Sequence, residues 1–535
     1  MKYVLPFLLS LLLAFEGLAQ EPSIDVQHYA FQLTLSDEDN TISGVTDVQV
    51  TFTQPSVTSF SLDLIGRESG KKTGMVVRSV KENGQTVDYS HDDDKIQISP
   101  ATAGSSGNTR TYTIAYEGIP ADGLIIATNK HGDRTFFGDN WPNRARNWLP
   151  TVDHPSDKAS VEFMVTAPAH YQVVSSGSLI EETDMLDGTR KTHWRTDVPI
   201  PTKVVVIGAA RFAVEYAGEY KDIPIQNWVY PQDRDAGFHD FGVTNRVMEF
   251  FETNIGPYPY EKLANVQSKT RYGGMENASN IFYSENSISG TRQNEGLIAH
   301  EVAHQWFGNS VSEIDWQHIW LSEGFATYFT QLYMEATYGR ERIQDGMNRA
   351  RLSVLRFYER VPDAPLVNPQ ISDPNQHLNA NSYQKGGWIL HMLRYQVGDE
   401  AFWNGIRAYY ETYRDQNASS AQFQEKMEEA SGQDLEVFFQ QWLYQAGQPV
   451  VEGTWSYNPG VNTVNITLSQ EQSGPSFVFP MEIDLKMESG ETVTKMLEIN
   501  SEKESFNFEV ESAVTNIEFD PNTWLLFDGS KIRRK

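Results

Sequence analysis

Two histidines four residues apart enclose a glutamate in the run His300-Glu301-Val302-Ala303-His304. On a helix this spacing projects both imidazoles from one face, a turn apart, within reach of one metal ion. Glu301, between them in sequence, faces the same open side. A further glutamate, Glu323, follows after eighteen intervening residues, in Leu321-Ser322-Glu323-Gly324-Phe325-Ala326 at the start of another helical pattern. A zinc site that does chemistry keeps three protein ligands and leaves the fourth position to water, whereas a structural site is closed by four. His300, His304 and Glu323 make three ligands, and Glu301 is a spare carboxylate able to take a proton from that water. The set predicts metal-assisted hydrolysis with one Zn2+ per chain.

These side chains must be positioned by the elements around them. From about Gln27 to Ala213 the chain alternates in polarity, as in Phe31-Gln-Leu-Thr-Leu35 and Val45-Thr-Asp-Val-Gln-Val-Thr-Phe52, the period of half-buried strands. Asp92-Asp93-Asp94 and residues 103–108 read as turns. Strand segments at 223–230 and 263–282 then lead into helical periodicity at 241–253, 294–307, 321–338, 340–358, 382–397, 401–415, 421–430 and 435–446. Short alternating strands return after Gly447-Gln448-Pro449 and suit a compact β-sandwich. The expected organisation is α+β and multidomain: a signal peptide over 1–19, an N-terminal β domain over 20–220, an α+β catalytic domain over 221–449 and a β-sandwich over 450–535.

Composition narrows the function classes. The 535 residues carry 71 acidic against 43 basic side chains, a net charge of −28, the wrong sign for a nucleic-acid partner. There is no cysteine, which excludes disulfides, thiolate zinc ligands and a cysteine nucleophile. Lys2, the apolar run from Val4 to Phe15 and Gly17-Leu18-Ala19 before Gln20 have the pattern of a cleaved export signal. That run is short for a membrane span, and no later stretch is long and apolar enough to be one. The mature protein is expected to be soluble and either periplasmic or secreted; its oligomeric state is not legible.

The joint pattern resembles the M1 zinc aminopeptidases, whose signature is HExxH, eighteen residues, then Glu. His300-Glu-Val-Ala-His-Gln-Trp-Phe-Gly-Asn309 is similar to that family beyond the ligands. Gly273-Gly274-Met275-Glu276-Asn277 resembles its exopeptidase motif. The resemblance implies a saddle-like N-terminal β-sheet domain, a thermolysin-like zinc domain and the small β-sandwich. It also implies Glu301 as the base, Tyr383 of Ser382-Tyr383-Gln384-Lys385-Gly386 as the donor to the oxyanion, and residues 273–277 as substrate-binding. A carboxylate at Glu276 can pair with a free α-ammonium, which an internal peptide bond lacks. The two glycines let backbone approach an extended substrate. The expected partners are therefore peptides with a free N-terminus.

The sequence departs from the family pattern at two positions. Where the family carries a second amine-binding Gln or Glu, five residues before an arginine that here is Arg146, stands Trp141. Asp139 or the face of Trp141 is the alternative anchor. Ser322 replaces the family's Asn before the zinc glutamate and keeps hydrogen-bonding capacity. Glu313 and Asp315 are either loop acids or partners that orient a ligand imidazole. Two rival functions remain: an epoxide hydrolase on the same fold with side peptidase activity, disfavoured by the β character of the C-terminal region, and a non-catalytic zinc- or peptide-binding protein. Without a large helical region after the sandwich, access to the cleft is expected to be open.

Overall fold

The computed structural model describes residues 22–535; the expected signal segment lies outside the described residues. The alternating N-terminal sequence forms an eight-stranded sheet. Near its centre Ile24–Thr34 pairs antiparallel with Ile42–Phe52 and parallel with Lys158–Pro168. Every second residue of Lys158–Pro168 is buried, as period-two polarity requires when one face covers a core. The Asp92-Asp93-Asp94 turn joins Tyr89–Asp92 to Lys95–Ile98, with positive φ at Asp93 and Asp94, the backbone twist of a tight hairpin. Four- and three-stranded sheets complete this β-rich part.

The second sheet has five strands, in the spatial order Ala213–Tyr220, Ile223–Val229, Leu263–Ser268, Asn280–Ser284 and Gly274–Met275. Ala213–Tyr220, ahead of the expected boundary at 220/221, makes a hairpin with Ile223–Val229. The two-residue strand Gly274–Met275 pairs only with Asn280–Ser284 and forms an edge. Helices Arg234–Phe241, Thr244–Asn254 and Glu295–Ala303 pack on the sheet, and Trp320–Tyr338, Arg340–Tyr358 and Gly386–Val397 pack on Glu295–Ala303 and on one another beyond it. The helical pattern read from Ser382 is in fact a π-turn over Asn381–Lys385 followed by the α-helix.

From Val450 onward a four-stranded and a three-stranded sheet face each other, and their inward residues, such as Ile466, Ile483 and Leu497, are fully buried. The three parts share polar ties as well as a continuous apolar core. Lys158 Nζ donates to the carbonyls of Asn309 (3.0 Å), Ser310 (2.7 Å) and Gln416 (3.1 Å), joining the N-terminal sheet to the loop after the histidine motif. Arg351 reaches Asp520 at 2.6 Å across to the sandwich. No helix among the described residues is long and apolar enough to cross a membrane.

Candidate active site

The helix Glu295–Ala303 carries His300 in its last turn, and His304 caps its C-terminus. Their Nε2 atoms lie 3.2 Å apart, and Glu323 Oε2, from the first turn of Trp320–Tyr338, lies 3.6 Å from His300 Nε2 and 3.3 Å from His304 Nε2. Zinc bonds of about 2.0–2.2 Å in tetrahedral geometry place neighbouring donor atoms about 3.3–3.6 Å apart. Three donors at this spacing fit a zinc ion. Burial depresses His304, but Glu323 and then Glu276 outweigh it and push its pKa up to about 9. Burial opposes ionisation of Glu323 too, yet the two histidines hold it well below the usual carboxylate range. The positive charge that the carboxylates draw onto this cluster is what a divalent cation supplies in competition with protons.

The imidazole of His304 is aimed from behind. Its Nδ1 lies 3.1 Å from the Phe307 carbonyl, to which only a protonated Nδ1 can donate, so that in the neutral ring Nε2 is the nitrogen left to bind a cation. Ser322 Oγ sits at 3.1 Å from the same Nδ1, so serine at this position contacts the His304 imidazole. Gly308, at φ +116°, passes so close that a Cβ would overlap Ser322 Oγ.

Glu301 is 4% exposed and lies over the backbone of Gly274, where a Cβ would collide with its carboxylate. Burial, reinforced by Glu276 and Glu323 and opposed by His304, raises its pKa well above the ordinary range. Glu276 is 5% exposed, and its Oε1 has no hydrogen-bond partner. Carboxylate oxygens of Glu276 and Glu301 and a ring nitrogen of His304 all lie within 4.8 Å of one another. Two side chains of the histidine motif hold Glu276 by its carbonyl: Gln305 Nε2 donates at 2.9 Å and Asn309 Nδ2 at 2.6 Å. Tyr383 comes from the π-turn with its ring 6.3 Å from that of His300 and nearly parallel to it. Burial and the nearby Glu323 raise its pKa well above 10, so the hydroxyl stays protonated and able to donate. These groups line a cavity of about 220 Å³, walled on its apolar side by Trp141, Tyr272, Met275, Leu297 and Leu378.

Residues 25–204 match the sequence model of the Peptidase M1 N-terminal domain, and residues 239–442 match that of the Peptidase family M1 domain. The chain belongs to the M1 peptidase family. A glutamyl aminopeptidase of Bitis rhinoceros is 27% identical over 66% of this chain and 39% of its own length. A probable aminopeptidase 2 of Sulfurisphaera tokodaii is 25% identical over 83% of this chain and 58% of its own. The chain thus spans about half the length of these relatives. Among solved structures, the M1 zinc metallopeptidase of Deinococcus radiodurans superimposes with a TM-score of 0.67 at 26% identity, covering 80% of this chain and 95% of that one. A mutant of that protein bound to a Tyr-Ser-Ala substrate superimposes with a TM-score of 0.66.

In this M1 chain the residues expected around the amine separate. Asp139 is fully buried and taken up by Arg144 (2.6 Å) and the Arg271 amide (3.2 Å). It is not on the cavity wall, which removes it as an anchor. Trp141 does line the cavity, wedged edge-on between Tyr272 and Trp316. Arg146 binds Asp153 and Asp63. Gly273, Gly274, Met275 and Glu276 line the cavity, but Asn277 does not: it is fully buried, its carbonyl accepting from Asn280 N in the turn to the next strand. Glu313 forms a buried ion pair with Lys203 at 2.6 Å, and Asp315 accepts from the Trp316 amide, so neither orients a ligand imidazole. Gln305 and Asn309 had no assigned role in the sequence reading; their only signal was that the motif's resemblance continues past His304.

Proposed function

We propose that this chain is a zinc-dependent aminopeptidase that removes N-terminal residues from peptides by water attack. The observation that carries this reading is Glu276, a buried carboxylate with an unpartnered oxygen beside the two-histidine, one-glutamate cluster. A buried carboxylate oxygen that accepts no hydrogen bond is costly, and the α-ammonium of a substrate would satisfy it. An internal peptide segment brings no such charge, so the same group that attracts an N-terminus selects against endopeptidase cleavage.

His300, His304 and Glu323 would hold the ion. Zinc there supplies a Lewis acid that polarises the scissile carbonyl and acidifies water. The unpaired edge of Gly274–Met275, on the cavity wall, offers backbone donors and acceptors to an extended substrate, and Glu276 stops the chain at its amino end. Glu301 takes a proton from the attacking water and returns it to the departing amide nitrogen. Tyr383 donates its O–H to the carbonyl oxygen as negative charge develops there.

The cavity wall contains three glutamates and no lysine or arginine. Several relatives are named glutamyl aminopeptidases, yet nothing on this wall would neutralise an acidic substrate side chain. The aromatic and aliphatic side supports preference for an apolar or aromatic N-terminal residue, in keeping with the Tyr-Ser-Ala ligand of the Deinococcus radiodurans structure. The pattern over residues 2–19 further supports export, with a mature terminus at Gln20 readable by mass spectrometry of the secreted or periplasmic protein.

The test is Glu301→Gln assayed on aminoacyl amides. The variant keeps its zinc, and turnover falls about 100- to 10,000-fold, the usual contribution of a general base. Unchanged turnover would refute the mechanism, and a zinc-loaded wild type inert on every aminoacyl amide would refute the aminopeptidase reading.

A further inference from the structure

The π-turn Asn381–Lys385 sits directly on the helix of Glu323: a Cβ on Gly324 would strike the Gly386 backbone and the Ser382 carbonyl. This contact sets how far Tyr383 stands from the ligand helix. One such contact does not by itself fix the rotation of a π-turn, a geometry found mostly as single turns inserted in α-helices.

The ends of the turn are tied to one hydroxyl. Tyr358, the last residue of Arg340–Tyr358, has its OH 2.8 Å from Asn381 Oδ1 and 2.9 Å from Lys385 Nζ. Asn381 Nδ2 donates to the carbonyl of Pro365 at 3.0 Å. Lys385 Nζ donates also to the carbonyl of Gly447, at 3.0 Å, in the linker to the β-sandwich. Lys385 is completely buried and forms no ion pair among the described residues; its amine donates to the Tyr358 hydroxyl and to the carbonyls of Gly447 and, at 3.5 Å, Gln445. Burying an ammonium group for hydrogen bonds alone is expensive, and the hydrogen bonds converge on the one segment that presents Tyr383 to the cavity.

We propose that Lys385, acting through Tyr358, is a positioning residue for Tyr383, a clamp that fixes the phenol where the carbonyl oxygen becomes charged. This rests on the aminopeptidase reading above and extends it. Asn381, Tyr358 and the Gly447 linker are the other members of the clamp. They place the oxyanion donor under the control of the junction with the C-terminal sandwich.

The experiment measures kcat and KM on a leucyl amide for wild type, Lys385→Met, Tyr358→Phe, Tyr383→Phe and the two double variants with Tyr383→Phe. Lys385→Met keeps volume and removes the donors. Tyr358→Phe removes one hydroxyl and leaves the ring. Each single clamp variant should lower kcat about 10- to 100-fold with KM changed less than about 3-fold, the signature of a contact realised in the transition state. In the Tyr383→Phe background the same substitutions should cost less than about 3-fold, since the group they position is gone. Equal losses in both backgrounds, or kcat unchanged in Tyr358→Phe, would overturn the clamp. Tyr358→Phe decides the matter alone if Lys385→Met does not fold. An inactive wild type would instead count against the aminopeptidase reading.

Discussion

Glu276→Gln separates amine recognition from the rest of catalysis, because it removes one negative charge and keeps the side chain's shape. Glu276 is 5% exposed, one of its oxygens has no partner, and its backbone is pinned by Gln305 and Asn309. The substitution therefore leaves the edge strand in place and changes only what the carboxylate offers. A hydrogen bond to a charged group contributes about 1.5–3 kcal/mol net, and breaking a buried ion pair costs about 3–5 kcal/mol. The ammonium keeps one amide acceptor in the variant, so a loss of about 2–4 kcal/mol is expected, or about 30- to 1000-fold in kcat/KM. The assay compares a leucyl amide with its desamino analogue, which lacks the α-amino group, at matched zinc content. Wild type should prefer the leucyl amide by at least the factor lost in the variant. In Glu276→Gln that preference should collapse to about 10-fold or less. If the variant loses equal activity on both substrates, Glu276 acts on something other than the amine and the reasoning fails.

Two further outcomes follow from the structure. Gly274→Ala puts a Cβ into the Glu301 carboxylate, the far end of a flexible side chain. The fold should tolerate it, with melting temperature nearly unchanged, while kcat falls about 100-fold, the effect of about 1 Å of misplacement; an intact kcat would show that Glu301 does not work from its observed position. Burial pushes Lys262, which donates to the Ser175 carbonyl at 2.6 Å, down from 10.5 to about 7. The unfolded chain then binds a proton between pH 7 and 10.5 that the folded chain lacks, so this group makes stability rise with pH across that window. Buried Asp157, raised to about 8, works in the opposite sense but only below that pH. From pH 8 to 10 the melting temperature of wild type should therefore gain on that of Lys262→Met, and parallel curves would refute the assignment.

Much of the site was legible because ligand spacing on a helix is a local property. His300, Glu301 and His304 are three residues of one helix and its cap, and the 3.6-residue period alone brings them together. Glu276 was recognisable by motif and chemistry. Trp141 was recognisable as a departure, but which of Trp141 and Asp139 faced the cavity was not, since that depends on Arg144 and the Arg271 amide capturing Asp139. Asn277 shows the converse: a motif residue that the chain's turn after Gly274–Met275 withdraws into the interior. The π-turn at Asn381–Lys385 was read as plain helix because its side-chain period differs from that of an α-helix by a single residue.

The sequence by itself determined the class of chemistry: three donors and a spare carboxylate at helical and eighteen-residue spacing, no cysteine, and a carboxylate in a glycine-rich strand motif. It also determined the β, α+β, β order, because two-residue and 3.6-residue periods are written directly in the chain. Only the tertiary structure decided which acids are free to act. Asp139 and Glu313 are taken up by Arg144 and Lys203, while Glu276 and Glu301 face the cavity beside His304 with no ion pair to a lysine or arginine among the described residues. A carboxylate's role depends on the charges within a few ångströms, and the fold brings those from as near as Arg144, five residues from Asp139, and as far as Lys203, 110 residues from Glu313.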